Sequence, residues 1–374
     1  MNKTIVVISK TPQRRLCETI EKHGFNALVL DPSEAYLFIS QSENGYDRVY
    51  SGSSAKTEPT RLHIKDVVAV IPRVSGEGFE FGCAVVRHFE KCLGIYSTAT
   101  ALGMKTASDK FWTSQNLSEA GLPQPKTILT NVPRHAGFLI EKVGGLPTVG
   151  KATRGSQGKA VFIMETPLAA NTTLQTFLNG NAESIIIQQF IESSANNKAV
   201  HDIRAIVVDD KVVSAMERTG TNGLHANLSQ GGTGRNVLNE LTDREKELCV
   251  KAAKAVHLDF AGVDFIRNVK DATKSFWIEV NSNSGEGIIA ITGVNHYDDL
   301  LKLIISKVAK NGSEPTTGAK SITGDQAVSM AIGGDQSIDT LMAAVGCLSK
   351  KNSLTPEELA LLNIFRRQAN RLVM

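Results

Sequence analysis

The sequence predicts an α/β fold, in the broad sense that includes α+β, built in three successive parts. Over residues 1–97, strand-length apolar runs alternate with helical stretches, as in a small domain with a parallel sheet. Over 98–310 the strands come mostly in pairs joined by turns, with a subdomain of this kind at about 126–192. Residues 311–374 begin with a Gly/Ser/Thr-rich linker and end with two helical stretches. We therefore expect an N-terminal domain, a larger mixed domain and a helical C-terminal extension.

Composition and charge exclude several classes of protein. The chain has 374 residues, of which 41% are hydrophobic and 21% charged, as is typical of a soluble protein with two or three domains. Its net charge is only +3 and it has no long Lys/Arg block, so we expect no specific nucleic-acid partner. No run approaches the ~20 apolar residues that cross a bilayer, and no signal peptide opens the chain, so we expect no membrane partner. Its five cysteines form no CxxC pair, which favours the cytoplasm over a disulfide-forming compartment.

The first part shows the alternation most clearly. Thr4–Ile8, Asn26–Leu30 and Asp66–Ile71 are apolar runs that predict buried strands. Helical spacing is found in Thr11–His23 and in Phe79–Leu93, and a glycine follows each stretch. Connections of this kind are right-handed and produce a parallel sheet.

The segments around these elements are less regular. Residues 34–65 are polar and Ser/Gly-rich, which predicts a hairpin or a mobile excursion. Residues 95–107 are expected to form a hinge. A helix is then predicted from Ser108, taken as its N-cap, to Gly121.

The larger part contains paired strands and two well-marked helices. Strands are predicted over 146–153, 159–165, 184–189 and 203–216, the last folding back at Asp209-Asp210, and a later pair over 258–267 and 275–280. Thr242–Val256 is predicted to be a helix with a capping box, because Glu245 follows Thr242 by three residues. Further helices are predicted over 297–309, 337–349 and 355–373.

Two carboxylates and an amide end the late strand pair. Asp264 closes the sequence AGVD, and Glu279 and Asn281 occupy alternate positions of the next strand, hence one face. If the strands pair, these oxygens form a hard-ligand site of the kind that Mg²⁺ prefers. Two such ions bridge nucleotide phosphates in many enzymes. The alternative is an acidic strand end that simply faces solvent.

A Gly-rich turn and an apolar strand with a polar end add to this pattern. Lys151 precedes the turn Gly155–Gly158, whose backbone amides can converge on phosphate oxygens. The turn is not a Walker loop, and no GxGxxG follows the first strand. Ile185–Ile191 ends in QQFI, which can pair its backbone with a purine edge. The alternatives are an ordinary hairpin connection and an ordinary core strand.

The order and spacing of these segments resemble the ATP-grasp superfamily, and most closely its RimK-type α-L-glutamate ligases, over roughly residues 1–310. The resemblance implies an ATP-grasp fold preceded by a pre-ATP-grasp domain. The segments that carry it are Val70–Arg73, Ser108–Lys110, Gly144–Pro147 leading to Lys151, Gly155–Gly158, Gln188–Ile191, Asp202–Arg204, Glu217–Arg218, Asn227–Leu228, Gly231–Gly232, Ala261–Asp264 and Glu279–Asn281.

The resemblance also implies ATP as cofactor, with two Mg²⁺ or Mn²⁺ ions, and roles for individual residues. The expected metal ligands are Asp264, Glu279 and Asn281. The expected nucleotide contacts are Lys110, Lys151, Arg154, Gly155, Ser156, Gln157 and Gly158 for the phosphates, Gln189 and Phe190 for adenine, Asp202 for ribose, and His225, Ala226 and Asn227. Arg218 is the candidate that stabilises the acyl phosphate, while Arg73 and Arg204 are candidates for binding substrate carboxylates through a bidentate fork.

The resemblance, together with these residues, predicts an ATP-dependent carboxylate–amine ligase that works through an acyl phosphate. Its partners would be an amino acid or another carboxylate and an amine acceptor, either a peptide, a protein or a metabolite. The alternative is an ATP-binding scaffold or regulatory protein without turnover, since His225-Ala226 stands where the family usually has Arg-Ser. Many members of the family are homo-oligomers, so a homo-oligomer is expected here as well. Residues 311–374 lie outside the resemblance.

Overall fold

A computed structural model of the protein describes residues 3–39, 48–54, 56–154, 161–179, 184–194, 200–220 and 231–311, and, farther along, 328, 345, 348, 355 and 358–365. Its contacts divide the chain into two compact units, Met1–Lys310 and Asn311–Met374. Within the described residues, no helix is long and apolar enough to cross a membrane.

The N-terminal part contains the predicted parallel sheet. Its elements are β1 (Thr4–Ile8), α1 (Arg14–Lys22), β2 (Asn26–Leu30), β3 (Ala35–Phe38), β4 (Arg48–Ser51), β5 (Thr60–Arg61), β6 (Val67–Pro72), α2 (Phe79–Arg87) and β7 (Tyr96–Ser97). The sheet has the order β2-β1-β6-β7, and all its pairings are parallel. The described parts of residues 34–65 form a separate antiparallel sheet, β3-β4-β5, where a hairpin or an excursion was predicted.

The hinge predicted over 95–107 is wrong. Helix α3 (Ala101–Ser108) occupies most of it, capped by the Thr100 side chain, which accepts a hydrogen bond from the Gly103 amide. This helix was hard to predict from the sequence because it contains Gly103, and glycine is a poor helix former. Close packing explains why glycine is found there, since a Cβ at Gly103 would collide with the backbone carbonyls of Val256 and His257. The next helix, α4 (Lys110–Glu119), is capped by Asp109 and not by Ser108.

The central part is an antiparallel sheet covered by helices. Its elements are β8 (Thr127–Thr130), α5 (Ala136–Val143), β9 (Thr148–Ala152), β10 (Val161–Met164), α6 (Pro167–Asn179) and β11 (Ile185–Gln189), and the sheet order is β10-β9-β11-β8. The predicted strands are present, whereas α5 and α6 were not predicted. Ile140 and Leu174 from these helices pack against Ile185 and Ile187 of β11, so the helices close the core of this part.

The last part of the first unit is a five-stranded antiparallel sheet, β14-β13-β12-β15-β16. Its elements are β12 (Val200–Val208), β13 (Lys211–Gly220), β14 (Thr233–Asn236), α7 (Asp243–Ala255), β15 (Phe260–Asn268), β16 (Asp271–Asn281), α8 (Gly287–Thr292) and α9 (His296–Asn311). The predicted turn is confirmed, with Asp209 at φ 53°. The predicted capping box is confirmed as well, with Thr242 and Glu245 bonded reciprocally.

The two faces of this sheet have different neighbours. The back face, which carries Val263 and Phe265, packs on α7. On the opposite, front face, Ile206 and Val208 pack with α9 and with the N-terminal sheet. Because side chains alternate along β12, Asp202 and Arg204 share the front face with these apolar residues. One end of the front face is therefore sealed by hydrophobic packing, and the other end carries charge.

The second unit contributes few described residues. Residues 358–365 are helical, and Thr355 and Glu358 form the capping pair expected at the start of this predicted helix. Val345 and Leu348 are helical within the stretch predicted over 337–349. Most of the linker predicted over 311–335 lies outside the described residues, and Val328 within it is helical.

Candidate active site

Two arginines and two aspartates form a continuous hydrogen-bonded network on the front face. Arg204 donates two hydrogen bonds to Asp264, from Nε at 2.7 Å and from Nη2 at 2.6 Å. Arg218 donates to both oxygens of Asp202, at 2.6 and 2.7 Å, and its Nη2 also reaches Asp264 Oδ2 at 3.0 Å. Side-chain exposure is only 3% for both Arg218 and Asp264. Bidentate pairs of this kind fix the planes of both partners.

Strand register brings these residues together. Asp202 pairs with Arg218 across β12 and β13, Arg204 pairs with Asp264 across β12 and β15, and Asp264 pairs with Glu279 across β15 and β16. Directly opposed residues in antiparallel strands have Cβ atoms about 5 Å apart. Four strands thus place charged side chains next to one another in one row across the front face. The pairing of Asp264 with Glu279 is the one expected from the sequence if the two late strands form a hairpin.

A bulge in β16 determines the face of the sheet on which the Glu279 side chain lies. Phe265 pairs with Trp277 and Asp264 with Glu279, so Ile278 is an extra residue between them. Trp277 is 1% exposed and stacks on Phe265, on the back face. Glu279 is two residues later yet faces the front, because the bulge reverses the alternation. Asn281 follows on the same face as Glu279 and lies 3.4 Å from Asp264 Oδ2 through its Nδ2.

The network controls ionisation. Burial works against the ionised form of Asp264, but Arg204 and Arg218 outweigh it and hold the pKa of Asp264 below its usual value. Burial alone would lower the pKa of Arg218, and the carboxylates of Asp264 and Asp202 raise it instead. The Asp264 carboxylate therefore stays charged in a nearly dry location.

Two lysines approach this row from other elements. Lys110, at the start of α4, lies 3.3 Å from Glu279 Oε1 through its Nζ. Lys151, on β9, donates to Gln188 Oε1 at 2.7 Å. Burial lowers the pKa of Lys151 to about 8; Glu279 opposes this shift and Lys110 adds to it. Both ammonium groups thus lie within electrostatic reach of Glu279, where phosphate oxygens would offset their mutual repulsion.

The QQFI segment, Gln188–Ile191, is described by the structure, whereas the Gly-rich turn, Gly155–Gly158, is not. The backbone N–H of Gln189 donates to the Lys126 carbonyl at 2.8 Å, and the side-chain carbonyl of Gln189 accepts from the Lys126 N–H at 3.2 Å, so both groups are engaged. Arg154 is 64% exposed and lies 3.6 Å from Glu80 and 4.0 Å from Asp109. Several predicted nucleotide contacts lie outside the described residues: Gly155, Ser156, Gln157, Gly158, His225, Ala226 and Asn227.

Arg73 connects the N-terminal sheet to the segment after Asn281. Its Nη2 donates to the Ser284 carbonyl at 2.7 Å, and its guanidinium lies 5.9 Å from the Tyr297 ring centroid. A Cβ at Gly262 would collide with Ser284 Oγ, so glycine is what lets this segment pack down on β15. Arg73 is 7% exposed, its Nε donates to Gln13 Oε1 at 3.4 Å, and its Nη1 is buried without a hydrogen bond to any described residue.

The predicted metal ligands suit a hard cation by their chemistry. Asp264, Glu279 and Asn281 offer carboxylate and amide oxygens on one face of adjacent strands. Among the described residues, no group of three or more His, Cys, Asp or Glu side chains is arranged to hold a metal ion. Guanidinium groups donate three hydrogen bonds to Asp264, one to Oδ1 and two to Oδ2. The set therefore fits ions whose remaining ligands come from phosphate and water.

Sequence reasoning missed the residues that support the site. Gln188 fixes Lys151 and in turn donates to Thr127 Oγ1 at 2.9 Å. Its position beside Gln189 in QQFI was the available signal, because a Gln within an apolar strand needs a polar partner when buried. Ser284 had no such signal, since its contact with Gly262 joins residues distant in sequence.

Comparison with known proteins identifies relatives over most of the chain. A model of the RimK-like ATP-grasp domain matches residues 107–304, and a model of the RimK PreATP-grasp domain matches residues 4–104. A probable alpha-L-glutamate ligase of Trichodesmium erythraeum is 32% identical over 312 residues, which cover 82% of this chain and 97% of that protein. A probable alpha-L-glutamate ligase 2 of Shewanella amazonensis is 35% identical over 311 residues, covering 82% and 96%.

Solved structures share the fold at lower identity. The ATP-grasp ligase PsnB, complexed with a phosphomimetic variant of its minimal precursor, Mg and ADP, superposes with a TM-score of 0.62 at 18% identity, covering 82% of this chain and 99% of that one. The macrocyclase MdnC from Microcystis aeruginosa MRC, bound with its precursor peptide MdnA, gives 0.57 at 16% identity, covering 82% and 100%.

Fold and relatives together define an ADP-forming ligase with the ATP-grasp fold. The chain belongs to the RimK-like ATP-grasp family, because that family's domain model spans more than half of it and curated relatives match it along nearly their whole length.

Proposed function

We propose that this ligase joins a carboxylate to an amine through an acyl phosphate, adding a glutamate-like amino acid to a peptide, a protein or a small-molecule acceptor. The front-face row carries this proposal: Arg204, Arg218, Lys110 and Lys151 gather around the carboxylates of Asp264 and Glu279. The names of the curated relatives support glutamate, and the precursor-bound PsnB and MdnC support a peptide acceptor.

ATP would lie between the central sheet and the front face. Lys110 and Lys151 would bind its phosphates, the backbone around Gln189 and Phe190 its adenine, and Asp202 its ribose. The side chain of Asp202 is 13% exposed and bonded to Arg218, so a ribose contact would use the lone pairs that Arg218 leaves. Asp264, Glu279 and Asn281 would hold two Mg²⁺ or Mn²⁺ ions, which neutralise phosphate charge when bound.

The reaction needs position and charge more than a protein nucleophile. An oxygen of the substrate carboxylate attacks the γ-phosphorus, the bond to the bridging oxygen of ADP breaks, and an acyl phosphate forms. The amine nitrogen then attacks the acyl carbon, phosphate departs with the electrons of the C–O bond, and the nitrogen loses its proton to solvent. Arg218, fixed on two sides by Asp202 and Asp264, presents a permanent positive charge to the developing oxyanion.

Product analysis tests this proposal. The full chain is incubated with ATP, Mg²⁺ and a panel of amino acids, each paired with peptide or amine acceptors, and ADP release is followed with mass spectrometry of the products. We expect ADP and an acceptor heavier by one amino-acid residue only when both partners are present. ATP binding without ADP release from any pair would instead support a scaffold or regulatory protein without turnover.

A matched pair of variants separates site chemistry from folding. Glu279→Ala removes a proposed metal ligand and should abolish ADP release. Glu217→Gln, on the opposite face of the same sheet, should leave it unchanged. Equal turnover in the two variants would contradict the proposed metal site.

A further inference from the structure

Three side chains donate hydrogen bonds to the Asp264 carboxylate. Arg204 supplies two, at 2.7 and 2.6 Å, Arg218 supplies one at 3.0 Å, and Asn281 Nδ2 lies at 3.4 Å. A carboxylate offers about four lone-pair positions. Oδ1 accepts only the bond from Arg204 Nε and Oδ2 accepts the other three, so among the described residues Arg204 is the donor that engages both oxygens, and its positive charge lies beside either position that a cation could take.

The two arginines differ in how firmly they are held. Arg218 has a second anchor in Asp202, at 2.6 and 2.7 Å, and its side chain is 3% exposed. Within the described part of the chain, the side-chain hydrogen bonds of Arg204 go to Asp264 alone, and its side chain is 19% exposed. Complete release of the Arg204 guanidinium breaks two hydrogen bonds and that of Arg218 breaks three, and the more exposed Arg204 returns to water more readily.

We propose that Arg204 is a competing cation for the metal site: its guanidinium occupies Asp264 before metal binds, leaves when the ion binds, and then meets the substrate carboxylate. This inference rests on the proposed function, because it requires Asp264 to be a metal ligand. It assigns an order to binding, with metal and nucleotide first and the carboxylate second. The guanidinium freed in the first step is the group used in the second, so the two binding events are coupled.

A purely structural role for Arg204 predicts the opposite change in metal affinity when Arg204 is removed. If Arg204 only held Asp264 in place, its removal would leave a disordered ligand and weaken metal binding. If Arg204 competes, its removal frees two lone-pair sites on Asp264 and removes a nearby positive charge. Metal binding then becomes tighter.

The test measures Mn²⁺ affinity without turnover. Free Mn²⁺ is followed by electron paramagnetic resonance during titration of the full chain at saturating AMPPNP. Arg204→Gln is compared with wild type and with Arg235→Gln, which removes an arginine paired with Glu217 and Glu240 elsewhere on the same sheet. We expect Mn²⁺ to bind about tenfold more tightly to Arg204→Gln, or ~1.4 kcal/mol, and equally to Arg235→Gln.

Further variants separate the alternatives. Arg204→Lys keeps the charge but loses the bidentate fork, so its Mn²⁺ affinity should fall between those of wild type and Arg204→Gln. It also serves as the test if Arg204→Gln does not fold. Unchanged or weaker Mn²⁺ binding in both variants would overturn the competition while leaving the ligase proposal intact. Wild-type Mn²⁺ binding that Glu279→Gln does not weaken would overturn the proposed metal site and this inference with it.

Discussion

Arginine–carboxylate clusters occur on both sides of the five-stranded sheet, and they differ in burial. On the front, Arg218 and Asp264 are each 3% exposed. On the back, Arg235 pairs with Glu217 and Glu240 while remaining 53% exposed. Exposed pairs of this kind contribute well under about 1 kcal/mol, because water competes for both partners. Buried pairs are costly to break, because a lone charge is left in a dry site. We therefore expect the ion pairs of Arg235 to be expendable and those of Arg218 to be indispensable.

The sharpest test of this contrast is Asp264→Asn. It leaves Arg204 and Arg218 buried with half of their compensating charge, so we expect the free energy of unfolding to fall by about 3 kcal/mol. ADP release should fall by more than about a thousandfold, because a proposed metal ligand is lost. Urea denaturation and the ADP assay measure the two effects. A stability equal to wild type would show that burial does not distinguish the faces.

Lys151→Met should separate stability from binding. Because the pKa of Lys151 is lowered to about 8, its charged form is disfavoured in the folded chain, and methionine should raise the free energy of unfolding by about 2 kcal/mol. ATP affinity should fall at least tenfold, because a phosphate contact disappears. Lys142→Met, at an exposed position of α5 in the same subdomain, is the control. A lower free energy of unfolding in Lys151→Met would contradict the conclusion that burial disfavours the charged form of Lys151 in the folded chain.

The same lysine predicts a pH dependence. Phosphates would raise the pKa of Lys151 above about 8, so the complex holds a proton that the free enzyme has lost. ATP affinity should therefore decrease as pH rises through 8 and above, with proton uptake on binding. Calorimetry at pH 8.5 in buffers of different ionisation enthalpy measures that uptake, which should vanish in Lys151→Met.

A smaller effect is expected at the start of α7, which supports the back face. Thr242→Ala removes a side chain that accepts a hydrogen bond from the Glu245 amide, and loss of such a cap costs about 1 kcal/mol. Thermal unfolding should show the decrease while ADP release stays at its wild-type level. Thr242→Ser, which keeps the hydroxyl, should restore most of the stability.

The smallest effect should come from Arg235→Gln. Its ion pairs are exposed, so we expect a change in unfolding free energy below about 0.5 kcal/mol and no change in turnover. Urea denaturation at low and high salt is the measurement. A loss comparable to that of Asp264→Asn would mean that the two clusters are equivalent.

Local sequence signals predicted much of this architecture. The apolar runs of β1, β2 and β6, the turn at Asp209 and the cap at Thr242 are each specified by a few neighbouring residues, and the structure has all of them. The common face of Glu279 and Asn281 followed from the period of two along their strand, and the pairing of Asp264 with Glu279 is the one expected if the two late strands form a hairpin.

Features that depend on distant contacts were not predictable in this way. Helix α3 contains Gly103 because the backbone carbonyls of Val256 and His257, which follow α7, leave no room for a Cβ there. The bulge at Ile278 shows no signal in its own sequence, and strict alternation would have set Trp277 and Glu279 on one face. The sequence suggested that Arg204 binds substrate carboxylates, but it gave no sign of the pairing of Arg204 with Asp264, which depends on strand register.

The hydrogen bond from Arg73 to the Ser284 carbonyl has a mechanical consequence. Arg73 directly follows β6 of the N-terminal sheet, while Ser284 is three residues beyond Asn281 and rests on Gly262 of β15. The two sheets are thus joined at the strand end that carries the proposed metal ligands. Any rotation of the first sheet against the second must either break this bond or pull on the segment that leads back to Asn281.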